Sequence, residues 1–248
     1  MYVSSVEGSR LYLSRYDGTQ AAIWDNDASA WTDQFTLGDP VDGYTAGNQL
    51  DSGLAIEISS DGADGVYITY IANVAAFTEN IFLTRYDGGD VKIWDTGTPG
   101  WTDTFSSGDN IGDGQDSADV GIARDSGNKV YMAQSRGGGL LNSIYLLRYD
   151  GSNLTIWDNG ASSWTTTIAS GDPIDTNVWG DESLAADPVV VEDDDQVYVA
   201  CRTTATRLLL SRYDVTRSLT QNTWRWFLDA TKDPTTSHAV AAEETAPT

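Results

Sequence analysis

The chain has 248 residues, with 37 Asp and Glu against 14 Lys and Arg, one His and one Cys, for a net charge of −23. One His (His238) and one Cys (Cys201) leave no zinc-ligand set and no internal disulfide. A field this negative repels phosphate backbones and anionic headgroups, which argues against nucleic acid as a partner, while 40% apolar and 10% aromatic residues suffice for a sizeable core.

Asp outnumbers Glu by 30 to 7 and travels with 24 Gly. Short polar side chains and Gly favour turns and caps over helix interiors, so a helix-poor, turn-rich architecture is expected. The opening residues, Met1 to Glu7, carry neither a basic stretch nor an apolar one, and no apolar run approaches the ~18 residues of a membrane span. The expectation is a chain without signal peptide or membrane insertion: cytoplasmic, a piece of a longer secreted protein, or a virion component.

A repeat dominates the chain. Leu11 to Gly18, Ile81 to Gly88, Ile144 to Gly151 and Leu208 to Val215 share a core of Arg-Tyr-Asp, with the arginines at 15, 85, 148 and 212, spaced by 70, 63 and 64 residues. Trp24, Trp94 and Trp157 follow nine residues after the Arg, Trp31, Trp101 and Trp164 sixteen after it, and Asp39, Asp109 and Asp172 twenty-four after it. The fourth copy departs, with Trp224 and Trp226 and a shortened Lys232-Asp233-Pro234.

Within a unit, β-branched and aromatic segments alternate with Asp/Gly/Asn turns, a pattern of strands and hairpins. A first strand is predicted at Leu54 to Ile58, Val120 to Ala123 and Val189 to Val191. A second follows at Val66 to Tyr70, Val130 to Ala133 and Val197 to Ala200. The third ends in Arg-Tyr-Asp-Gly, with Asp-Gly as the hairpin turn; the fourth carries Ile-Trp-Asp, and a short fifth is predicted at Trp101 to Phe105. The third strand is apolar on both faces, so its sheet should be covered on both sides. Repeat units fall at about 1–50, 51–116, 117–180 and 181–248. The C-terminal His238 to Ala242 reads as a first strand and Tyr2-Val3 as the start of a second, so 238–248 would complete the first blade. The predicted fold is all-β: a single domain over 1–248, a four-bladed β-propeller of about four strands per blade, closed by pairing of the N- and C-terminal strands.

These units resemble the propeller repeats of bacterial and phage surface proteins, whose blades read as an apolar strand, an Asp/Gly turn, Val-Tyr-Val-Ala, then Tyr-Asp-Gly and Trp. The likeness covers nearly the whole chain and implies the fold; propellers host many functions, so it implies no activity. The Asp-box turn of sialidase-like propellers is similar only in part, because Asp17-Gly18 are adjacent and Trp24 lies too far downstream; no sialidase residues transfer.

Two readings stand for each repeated group. The residues Arg15 and Asp17, Arg85 and Asp87, Arg148 and Asp150, Arg212 and Asp214 either pair to fix register across a hairpin or an adjoining blade, or present anion and sugar contacts. The tryptophans Trp24, Trp31, Trp94, Trp101, Trp157 and Trp164, with Trp179, either stack on sugar rings as a multivalent lectin or wedge between blades. Acidic loops at 109–116, 61–64 and 193–195 could hold calcium, though none has the spacing of a known calcium loop; no cofactor and no metal site are otherwise expected. The expected function is a non-enzymatic binding or structural protein on a virion or cell surface, engaging glycan or a protein partner in adhesion or virion decoration, alone or with other copies. The alternatives are a glycoside-active enzyme, whose unique loop would be Asn177 to Glu182, and a cytoplasmic interaction scaffold.

Overall fold

In a computed structural model the described residues are 1–42, 56–60, 65–75, 78–105, 108–112, 117–136, 143–158, 160–161, 163–174, 188–193, 196–202, 207–214, 225–226, 228–229 and 242–243. They are all-β apart from short 3-10 turns. No helix among them is long and apolar enough to cross a membrane. The chain divides into two compact units, Met1–Asp116 and Ser117–Thr248.

The first unit holds two antiparallel meanders. Sheet I comprises β1 (Tyr2–Glu7), β2 (Arg10–Tyr16), β3 (Ala21–Asp25) and β4 (Ala30–Thr32), in that order. Sheet II comprises β5 (Ile56–Ser60), β6 (Gly65–Ala75), β7 (Thr78–Asp87), β8 (Val91–Asp95) and β9 (Gly100–Thr102). The second unit repeats the plan. Sheet III comprises β10 (Ser117–Arg124), β11 (Val130–Arg136), β12 (Ser143–Tyr149), β13 (Leu154–Asp158) and β14 (Ser163–Thr165). Sheet IV comprises β15 (Val189–Asp193), β16 (Gln196–Arg202), β17 (Arg207–Asp214) and β19 (Leu228–Asp229), while β18 (Arg225–Trp226) pairs with β20 (Ala242–Glu243). In sheets II and III the four strands read from the repeat are present, and the fifth is shorter than Trp101 to Phe105; the described residues of sheet I begin with the second strand.

Each unit is cored by the apposed faces of its two sheets. In the first, Leu11, Leu13 and Trp24 of sheet I meet Val66, Ile68 and Tyr86 of sheet II; in the second, Tyr131, Leu146 and Trp157 of sheet III meet Val197, Val199 and Cys201 of sheet IV. Strand β7 is buried on both faces, with Ile81, Phe82, Leu83 and Thr84 all inaccessible. Strand pairing places a tyrosine directly opposite each repeat arginine: Tyr2 with Arg15, Tyr67 with Arg85, Tyr131 with Arg148 and Tyr198 with Arg212.

Two expectations change here. Asp-Gly does not form the two central residues of a hairpin turn, since only the glycine has positive φ: +104° at Gly18, +92° at Gly88 and +98° at Gly151. The aspartate instead flanks the turn and closes it with its carboxylate; Asp17 Oδ1 accepts the amides of Thr19 and Gln20, both at 2.9 Å. Of the expected closing strand, 238–241 lie outside the described residues, and Ala242 pairs with Trp226.

The glycine before each repeated Asp has a packing reason. A Cβ on Gly38, Gly108 or Gly171 would stand 2.4, 2.2 or 2.3 Å from the Cδ1 of Ile23, Ile93 or Ile156, in each case the buried isoleucine of the Ile-Trp-Asp strand. In the second unit a Cβ on Gly121 would meet the Pro188 carbonyl oxygen at 2.3 Å, so β10 and the start of sheet IV approach closely only because this position is glycine.

Candidate ligand-binding site

The tryptophan pairs are cross-strand neighbours: Trp24 faces Trp31, Trp94 faces Trp101 and Trp157 faces Trp164. Each pair meets edge to face, with ring centroids 5.4, 5.4 and 5.5 Å apart. The inner member is core. Trp24 is 1% exposed, Trp94 2% and Trp157 8%, which leaves no ring face for a sugar and removes these three from the ligand-binding candidates. The outer members Trp31, Trp101 and Trp164 are half-buried.

The repeat arginine lies over the outer ring. The guanidinium carbons of Arg15, Arg85 and Arg148 stand 4.6, 5.0 and 4.3 Å from the centroids of Trp31, Trp101 and Trp164. The ion pair runs along the strand end, not across a hairpin or between sheets: Arg85 Nη2 is 3.0 Å from Asp87 Oδ2, and Arg148 Nη2 is 3.9 Å from Asp150 Oδ2. The indole N–H of Trp31 donates to the Tyr86 hydroxyl of sheet II at 2.8 Å, and that of Trp164 donates to the Tyr213 hydroxyl of sheet IV at 2.7 Å. Tyr86 in turn donates to the Gly88 carbonyl at 3.0 Å. Within each unit the tyrosine of Arg-Tyr-Asp in the second sheet, Tyr86 or Tyr213, is therefore the acceptor at the seam with the first. Its invariance across the four copies was the available signal, and sequence reasoning assigned it no role.

The repeated acids serve the backbone. Asp39 Oδ2 accepts the amides of Asn26 and Asp27 at 2.9 and 3.2 Å, Asp109 Oδ2 those of Thr96 and Gly97 at 3.1 and 2.9 Å, and Asp172 Oδ2 that of Gly160 at 3.0 Å. These bonds tie the Ile-Trp-Asp turn to the segment after the fifth strand. The amides of Gln20 and Thr19 hold the Asp17 carboxyl down to about 2. Burial pushes the Asp87 carboxyl up, but Arg85, the amides of Gly89 and Asp90, and Lys92 outweigh it and bring it to about 2. The Thr98 amide lowers Asp95. At Asp150 burial again raises the value, and the amides of Asn153 and Ser152 with the charge of Arg148 lower it overall.

A further ion pair in sheet I is part-buried and joins residues that recur in some copies, Asp42 matching Asp175 and Arg10 matching Arg207. Arg10 Nη2 lies 2.8 Å from Asp42 Oδ1, and Asp42, 4% exposed, also accepts the Leu11 amide at 2.6 Å. Trp179 with 177–182, and 61–64, 113–116 and 194–195 of the acidic loops, lie outside the described residues, as do the side chains of Arg212 and Asp214. Among the described residues no three His, Cys, Asp or Glu side chains are grouped to hold a metal ion.

No protein-family model matches the chain, and no curated protein matches it. Among solved structures it is similar to a fungal lectin of Aleuria aurantia, described as a six-bladed β-propeller with a novel fucose recognition mode. That likeness has 10% identity and a TM-score of 0.39, over 99% of this chain and 78% of that one. It is also similar to an α-L-arabinofuranosidase of Clostridium thermocellum ATCC 27405, at 12% identity and a TM-score of 0.36, over 96% and 70% of the two chains. Likenesses this distant decide neither fold nor chemistry.

Proposed function

We propose that this is a non-enzymatic binding protein of the β-propeller type, its four repeats forming a ring, which engages glycan on the outer surface of a cell or virion. The observation that carries the reading is the outer tryptophan with its arginine, present in three copies: both side chains are half-buried, so part of an indole beside the guanidinium that covers one of its faces is left accessible together with the guanidinium N–H donors. That combination suits a sugar, which has an apolar face and a rim of hydroxyls. Three weak copies on one chain gain by avidity when the ligand is itself multivalent. A charge of −23 keeps such a surface soluble and suits saline surroundings.

A glycan array probed with the full chain tests this. Binding to a defined set of glycans is expected, with the apparent affinity falling at least ~10-fold in Trp31→Ala, Trp101→Ala or Trp164→Ala chains that still unfold in one cooperative transition. Trp31→Phe, which keeps a stacking ring, should retain most of it. Turnover of a glycoside, or binding untouched by all three substitutions, would overturn the reading.

A further inference from the structure

The arginine–aspartate pairs of the second and third copies differ in one bond. Arg85 Nη2 and Asp87 Oδ2 meet directly at 3.0 Å, and Lys92 Nζ holds the same oxygen at 3.3 Å. Arg148 Nη2 and Asp150 Oδ2 stand 3.9 Å apart, beyond hydrogen-bond reach. Their cross-strand neighbours differ too: Lys92 lies opposite Arg85, whereas Thr155 lies opposite Arg148 and turns its hydroxyl onto the Arg148 carbonyl at 3.0 Å. The Asp150 carboxylate is fixed through its other oxygen. Oδ1 accepts the amides of Ser152 and Asn153 at 3.0 and 2.8 Å, and Oδ2 accepts no hydrogen bond among the described residues. The Arg148 and Asp150 side chains keep 17% and 27% of their surface exposed, so neither is sealed off.

A donor and an acceptor separated by 3.9 Å leave room for one hydroxyl group. Its oxygen can stand ~2.8 Å from both, accepting from the guanidinium and donating to the carboxylate. An ionised acid group fits only half of this gap. Its oxygens accept from Arg148 but have no proton to place against Asp150 Oδ2, and they bring a like charge toward a chain that already carries −23. The Trp164 ring, whose centroid lies 4.3 Å from the Arg148 guanidinium carbon, supplies the apolar contact beside the same gap.

We propose that Arg148 and Asp150 together read one hydroxyl of an uncharged sugar resting against Trp164, so that the ligand is a neutral glycan and not a sialylated, sulfated or uronic one. The inference rests on the glycan reading above and makes Asp150 the residue that determines specificity. The second copy, closed by its direct ion pair and Lys92, offers the Trp101 ring without this hydroxyl reader.

The test is an array of matched glycans, each neutral structure beside the same structure carrying a sialic acid, a sulfate ester or a uronic acid, probed with the full chain. The neutral member of each bound pair is expected to bind at least ~10-fold more tightly at 0.15 M NaCl. A gap should persist at 0.5 M NaCl, where the field of the whole chain is screened beyond roughly 4 Å and the local pairing remains. In Asp150→Asn, which removes the acceptor and frees the Arg148 charge, affinity for the neutral member should fall at least ~5-fold and the gap should narrow to less than ~2-fold. Asp27→Asn, which removes the same charge from an exposed turn, should leave the ratio unchanged. Equal or tighter binding of the acidic members overturns the proposal while leaving the glycan reading intact. So does an Asp150→Asn chain that loses affinity for both members equally, because a residue that only holds the hairpin would act that way. Binding of no glycan at all overturns the glycan reading, and this inference with it.

Discussion

Sheets I and II are built from the same repeat and differ chiefly in what covers them. Tyr16 and Tyr86 occupy one repeat position, yet Tyr16 is 43% exposed and Tyr86 3%. The hairpins around them agree: positive φ at the glycine, a carboxylate on the following amides, and the tyrosine hydroxyl on the glycine carbonyl. Local chemistry therefore sets the hairpin in each copy, whereas burial of its tyrosine depends on a neighbour arriving with an indole. The repeat is a connector with two unlike faces, and a single copy holds only half of each seam.

The largest expected effect probes what the two sheets share. Gly108→Ala drives a methyl into Ile93, and Gly38→Ala drives one into Ile23, with Cβ positions 2.2 and 2.4 Å from Cδ1. Each should cost about 1–3 kcal/mol in urea unfolding, the usual range for overpacking a core. A cost below ~0.5 kcal/mol at both would show that the isoleucine rotates away and that the glycine is not a packing requirement.

A smaller effect separates the sheets. Tyr86→Phe leaves the Trp31 N–H and the Gly88 carbonyl without their shared hydroxyl and should lower stability by about 1–2 kcal/mol. Tyr16→Phe should cost less than ~0.5 kcal/mol, because among the described residues its hydroxyl bonds to the exposed Gly18 carbonyl. Thermal melts of the two variants side by side check the difference, and equal costs would show that the seam bond contributes nothing at Tyr86.

The smallest effect is electrostatic. Because the Asp87 carboxyl is lowered to about 2 in the folded chain, the unfolded chain takes up its proton first as pH falls. The stability contributed by Asp87 is thus complete above pH ~4, the ordinary carboxylate value, and is lost progressively toward pH 2. Asp87→Asn should cost of order 1 kcal/mol or less at pH 7 after solvent screening, and the gap from the parent chain should close toward pH 2. A gap constant with pH would mean that the side chain acts by shape alone. Asp17→Asn is expected to be less sensitive to salt, because the main causes of its shift are amides while Asp87 also pairs with Arg85 and Lys92.

Much of this was legible without coordinates. The period of the Arg-Tyr-Asp unit and the alternation of apolar residues with Asp/Gly turns specify antiparallel meanders, because turn chemistry and strand alternation are local properties of the chain. The fixed offset between the two tryptophans of a copy likewise makes them cross-strand neighbours. What a tryptophan does was not legible. Trp24 and Trp31 sit seven residues apart, and packing made the first a core residue and the second a half-buried ring under Arg15. The arginine's role was similarly undecided, since proximity in sequence to Asp87 and proximity in space to Trp101 are both satisfied at once. Composition and local spacing thus determined the strands, the turns and the repeat. The tertiary structure alone decided which faces meet and which aromatic rings are enclosed, because burial depends on residues far apart in the chain that no local pattern brings together.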